Sequence, residues 1–269
     1  MLTRSAAIAA VVGLAAIATA QTRLEYQVSL AGEENWHSSI NVTPGTSVDI
    51  RARVSYVGSQ PVLGLGSVIF QPTISNWVTT AGIADSYFAV PAVGWSPDGA
   101  GVYGRITYPR NNSTNTSLSY VGHVNSVGGT NYLRIALPQV TNWFGGSGNT
   151  TAGSGVLIGQ INRDVEFRPP SVPPFVDLVS DVVVFKFKVT IGSTSPVRSL
   201  VVDTPTNGFG NFQSATGQRT GNWFANYIEP VGSIEAAAFA TQAVIHVVPS
   251  TGTCTLLIAG ALAARRRRE

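Results

Sequence analysis

Apolar and polar residues alternate with a period of two over most of this chain, the pattern of strands that bury one face. Leu24 to Leu30 alternates in this way. Ser47 to Val57 sets Val48, Ile50, Ala52, Val54 and Tyr56 against Asp49, Arg51, Arg53 and Ser55. Phe185 to Val189 repeats it, with aromatic residues predicted inward and Lys186 and Lys188 outward. Further runs are Val62 to Phe70, Tyr132 to Leu137, Val156 to Phe167, Val197 to Val202 and Ala243 to Val248. Clusters of Gly, Asn, Ser, Thr and Pro separate them and supply turns. No window carries a long apolar stripe at helical spacing, and Glu235 to Ala240 is expected to form one or two helical turns at most. The glycine count of 28 also argues against helix. The pattern predicts an all-β fold, an antiparallel β-sandwich of jelly-roll or immunoglobulin-like kind, with a short C-terminal apolar helix.

The two ends of the chain break the alternation. Arg4 precedes an apolar run from Ala6 to Ile17, and Ala18-Thr19-Ala20 gives the small-x-small pattern read by signal peptidase. Cleavage is expected before Gln21. The run is shorter than the about 20 residues of a membrane span, which argues against the alternative of an uncleaved anchor. At the other end Val248-Pro249-Ser250-Thr251-Gly252 leads into an apolar stretch from Cys254 to Ala264, closed by Arg265, Arg266, Arg267 and Arg268. Counted from Thr253 to Ala264, a helix of a dozen residues is about 18 Å long, against a hydrocarbon core of about 30 Å. The arginines would stay cytoplasmic and leave the upstream domain outside.

This hinge, short apolar segment and basic stop resemble a PEP-CTERM-type sorting signal, the substrate mark of exosortase systems in bacteria with an outer membrane. The resemblance covers Val248 to Glu269, where Val-Pro-Ser-Thr-Gly stands in place of the Pro-Glu-Pro signature. It implies export through the inner membrane to the cell surface or medium, with transient membrane association through the tail. The implied partners are signal peptidase and a membrane sorting protease or transpeptidase, with surface polysaccharide as a further one. A plain tail anchor is the alternative. The expected organisation is therefore a leader at 1–20, one β-sandwich domain at 21–248 and a sorting segment at 249–269.

Removing both ends changes the meaning of the charge. Lys and Arg total 17 and Asp and Glu 14, a formal net of +3. Arg4 and the four terminal arginines supply five of the positives and Glu269 one negative, leaving twelve against thirteen in the body. A net of −1 with scattered arginines gives no basis for a nucleic-acid partner. The single cysteine, Cys254, lies in the tail, so the body can form no internal disulfide or thiolate metal site.

Four of the five tryptophans follow Asn: Asn35-Trp36, Asn76-Trp77, Asn142-Trp143 and Asn222-Trp223. In one reading Asn closes a turn and the ring packs beneath it, its N–H satisfied by backbone. In the other the rings are exposed and stack on sugars. Trp143, Phe144, Trp223 and Phe224, beside Gly-rich loops, are the candidate ligand-binding residues of that second reading.

Catalytic and metal-binding patterns are thin, so no catalytic residue, metal ligand or cofactor is assigned. No Gly-x-Ser-x-Gly elbow or dinucleotide fingerprint occurs, and His37, His123 and His246 have no partner at metal-pair spacing. Asp164 and Glu166 share a face of a predicted strand, a weak glycosidase signal. Asp49, Asp98 and Asp181 lack the spacing of a calcium loop. Three functions remain: a non-enzymatic surface or matrix protein, a carbohydrate-binding module, and a secreted hydrolase.

Overall fold

The computed structural model describes residues 21–58, 64–90, 103–105, 120–136, 156–158, 182–194, 196–205, 209, 211–214, 217–220, 223–225, 233–235 and 237–249. The leader, the apolar tail with Cys254, and Arg265 to Arg268 lie outside them, as do Asp98, Trp143, Phe144, Asp164, Glu166 and Asp181. The described residues form strands and no helix.

Numbered in chain order, the first sheet holds β1 (Gln21–Leu30), β3 (Ser47–Val57), β6 (Ser86–Tyr87), β7 (Gly104–Arg105), β11 (Val182–Thr190) and β17 (Ala237–Thr241). Their order is β17-β1-β3-β11-β6, with β7 also against β11. The second sheet holds β2 (Ser39–Val42), β5 (Thr73–Ser75), β8 (Val121–Val127), β9 (Thr130–Ala136), β12 (Arg198–Asp203) and β18 (Ala243–Val247), ordered β2-β18-β12-β5-β9-β8. A smaller sheet combines β4 (Gly64–Phe70), β10 (Val156–Ile158), β15 (Trp223–Ala225) and β16 (Ser233–Glu235). The remaining pair is the hairpin β13 (Asn211–Ser214) and β14 (Gly217–Thr220).

The inward positions of both large sheets meet in one buried apolar cluster. Leu24, Tyr26 and Val28 of β1, Val48 to Val54 at alternate positions of β3, and Phe185, Phe187 and Val189 of β11 come from one side. Ile74, Leu133, Ile135, Leu200, Val202, Ile245 and Val247 come from the other. Phe185 lies at the centre, edge-on to Phe70 at 6.2 Å and to Tyr120 at 5.6 Å. Each such side chain contributes about 1.5–3 kcal/mol by leaving water. A polar chain through this core is satisfied: Tyr26 shares a 2.6 Å hydrogen bond with the Thr204 hydroxyl, which donates to the Gln71 carbonyl. Burial pushes the Tyr26 phenol well above its ordinary pKa.

Three expectations are corrected. The sandwich is mixed rather than wholly antiparallel, because β17 runs parallel to β1 and β2 parallel to β18. A period of two is the same for either direction, so alternation cannot encode it. Glu235 to Ala240 contributes to β16 and β17 rather than helical turns. The free backbone edge of β1 supplies Ala237 to Thr241 with a ladder that outweighs alanine's helix preference. Lys186 is not outward in the sense of solvated: it is 4 % exposed, on the outer face of the sheet but covered. Strand β8 was not foreseen. Its hairpin to β9 turns through Gly128 and Gly129 at φ 57° and 80°, the positive values a two-residue loop of type I′ demands.

The loop between β5 and β6 is pinned by Asp85, whose carboxylate accepts the Val78 and Gly192 N–H groups and pairs with Arg198 at 2.5 Å. Gly192 must be glycine here, since a Cβ would stand 2.0 Å from the Ile83 carbonyl oxygen. That anchor fixes β6 beside the end of β11, which matters for the surface described next.

Candidate binding face on the outer side of the first sheet

Three local features shape this face. Where β17 ends beside Glu25, the chain beyond Leu30 folds back and takes over the free edge of β1. Val28 and His37 exchange backbone hydrogen bonds at 2.8 and 2.9 Å. Glu34 stands at φ 53°, uncommon for a residue with a Cβ, and this bend turns Glu34 and Trp36 over the sheet. At the opposite edge, β11 is paired in two pieces. β6 covers Val189 and Thr190, and β7 covers Phe185 and Lys186. Phe88 and Tyr103, at the ends of these pieces, meet over Lys188 between them.

The result is a row in which three rings alternate with three cations. The Lys188 ammonium lies 5.2 Å from the Phe88 ring centre and 4.8 Å from that of Tyr103. The Lys186 ammonium follows, 5.8 Å from Tyr103 and 5.2 Å from Trp36. The Arg51 guanidinium closes the row 4.3 Å from the Trp36 ring. All five separations are within cation–π range.

Carboxylates hold one end of the row and not the other. Lys186 pairs with Glu34 at 2.5 Å and stands 4.0 Å from Asp49. Asp49 is 2 % exposed, and both of its oxygens are engaged: one accepts the Gly32 N–H, the other the Tyr103 hydroxyl at 2.8 Å. Trp36 Nε1 donates to Glu34 at 3.0 Å, and Arg51 Nε to Gln27 at 2.8 Å. Among the described residues no carboxylate lies within ion-pair distance of Lys188. Phe88 beside it is 49 % exposed. The Phe88–Lys188–Tyr103 end is therefore the open end.

The electrostatics follow the contacts. The hydrogen bond from Lys186 holds the Glu34 carboxyl below its ordinary value. Burial and the neighbouring Arg53 push Arg51 down to about 10, so it stays a cation at neutral pH. Burial and the adjacent Asp49 carboxylate raise the Tyr103 phenol, which remains a hydrogen-bond donor.

The Asn–Trp pairs do not share one fate. Asn76 adopts φ 56° and Trp77 is 4 % exposed, with Asn76 Nδ2 donating to the Ser199 carbonyl, so a turn with the ring packed under it is what the structure places there. Trp36 is half-buried and its N–H goes to a carboxylate rather than to backbone, a correction to that part of the expectation. Asn142 and Trp143 lie outside the described residues, and β15 carries Trp223 and Phe224 between β4 and β16. His246 is half-buried and paired with the Ser199 hydroxyl at 2.8 Å across β18 and β12. Among the described residues no group of three His, Cys, Asp or Glu side chains could hold a metal ion. Sequence reasoning missed Phe88 and Tyr103, which sit in no alternating run. The available signal was that both lysines of the chain occupy one strand, two residues apart.

No family model and no curated protein matches the chain. Among solved structures it is similar to the seventh ScaB type I cohesin from Pseudobacteroides cellulosolvens, with 11 % identity and a TM-score of 0.37 over 86 % of this chain and 94 % of that one. It is also similar to the Coh-OlpA–Doc918 complex from Clostridium thermocellum (8 % identity, TM-score 0.33, 86 % and 99 % covered) and to CaCohA2 from Clostridium acetobutylicum (10 %, 0.32, 87 % and 94 %). TM-scores of this size identify neither a family nor a partner.

Proposed function

We propose that this chain is an exported, non-enzymatic module of the cell surface or extracellular matrix that works by binding through the ring-and-cation row. The observation that carries the reading is the open end of that row, where a half-exposed phenylalanine stands beside an ammonium that has no carboxylate partner among the described residues. Exposed aromatic and cationic groups held by packing are a binding arrangement, because they lose little side-chain entropy when a partner arrives. Trp143, Phe144, Trp223 and Phe224 enter as a second set of ring contacts, separable by Trp143→Ala.

Export rests on the two terminal segments. Gln21, the residue expected to follow leader cleavage, opens β1, and the last backbone bond of the sandwich runs from Val248 N–H to the Val42 carbonyl at 2.9 Å. Pro249 beyond it is exposed, which supports a cut near this point if the segment after it is a sorting signal. Fractionation of the producing cells with mass spectrometry of both termini tests this. Recovery from envelope or medium with a start at Gln21 and an end near Val248 or Pro249 is expected. Full-length protein dissolved in the cytosol would overturn it.

A further inference from the structure

We infer that the partner of this face is a polysaccharide bearing carboxylates, a polyuronate, seated with an acid group on Lys188 and its sugar rings against Phe88 and Tyr103. The inference rests on the binding role proposed above and names the chemistry of the ligand. Charge is the first argument. Arg23, Arg51, Arg53, Lys186 and Lys188 share the outer side of β1, β3 and β11 with Glu25, Asp49 and, from the loop, Glu34. Among these described residues five positive and three negative groups give a net of +2, while the body as a whole is −1. A local surplus of positive charge favours an anion at this place.

The second argument is which charge is free to act. Lys186 and Arg51 are committed to Glu34 and Gln27, so an incoming carboxylate at that end would displace bonds already made. Lys188 has rings on two sides and no carboxylate among the described residues. Its third side is where an acid group gains a charge-assisted hydrogen bond without breaking one. The rings supply the remaining selectivity. Phe88 and Tyr103 offer apolar surface to the C–H face of a sugar. An acidic polypeptide shares the charge but not the flat apolar faces.

The chain's only two lysines make the test direct. The full-length protein is titrated with polygalacturonate, with its fully methyl-esterified form, and with poly-glutamate, by calorimetry or affinity electrophoresis. Polygalacturonate is expected to bind, and the ester and the polypeptide at least about tenfold more weakly. Lys188→Ala and Phe88→Ala should each weaken binding by about tenfold with the melting temperature unchanged. Acylation of Lys188, read by mass spectrometry, should be slowed by polygalacturonate and not by the ester. Equal binding of the ester would overturn the role of charge, and preference for poly-glutamate would make this a polypeptide site. Absence of binding by any of the three, or binding indifferent to Lys188 and Phe88, would sink the proposal. A cytosolic location with binding intact would instead strike only the export reading.

Discussion

The two faces of strands β3 and β11 solve burial in opposite ways. Inward, Val48, Ile50, Val54, Phe185 and Phe187 are fully buried and need nothing but contact. Outward, Asp49 and Lys186 are almost as inaccessible, yet each is held by hydrogen bonds and charge. Removing ions from water costs several kcal/mol each, and their mutual attraction often only offsets that cost. An apolar or plainly solvated outer face would serve the fold at least as well. The polar arrangement is therefore better explained by what it presents than by what it stabilises.

The largest test of the contrast is on the inner side. Phe185→Ala removes the ring that touches Phe70, Tyr120 and Phe187, and should cost about 3–5 kcal/mol in denaturant unfolding. On the outer side Asp49→Ala strands the Tyr103 hydroxyl and the Gly32 N–H, with an expected loss of about 2–3 kcal/mol. If it costs nothing, the outer face is not built on pairing. Glu34 sharpens the contrast further. Its carboxyl pKa is depressed in the folded state below its ordinary value of 4.5, so its contribution is present above that value and fades as pH falls through the folded one. Glu34→Gln should thus lower the melting temperature slightly near neutral pH and converge with the unaltered protein in acid; a gap that persists in acid would mean a packing defect instead. The smallest stability effect belongs to Lys188→Ala, within about 0.5 kcal/mol, since among the described residues its ammonium makes ring contacts and no ion pair.

Much of the core was legible because one buried face imposes a period of two. Strand β3 appears over the predicted span, and β12, β9 and β18 within a residue or two of it. The outer face was less legible. Lys186 alternates like a solvated residue, and nothing near it in sequence announces Glu34, Asp49 or Trp36. These arrive from 152 and 137 residues away and from a loop bent through a left-handed residue. Trp36 and Trp77 share the same preceding Asn, and only their tertiary surroundings send one to the surface and the other into the core.

By itself, the order of residues determined that this is a strand-built body whose two ends break the alternation, because alternation, turn residues and terminal charge act over short stretches of chain. Strand direction, the covering of Lys186, and the meeting of Phe88, Lys188 and Tyr103 were decided only by tertiary structure. Each depends on segments far apart in the chain competing for one sheet edge, and local periodicity carries no record of which segment wins.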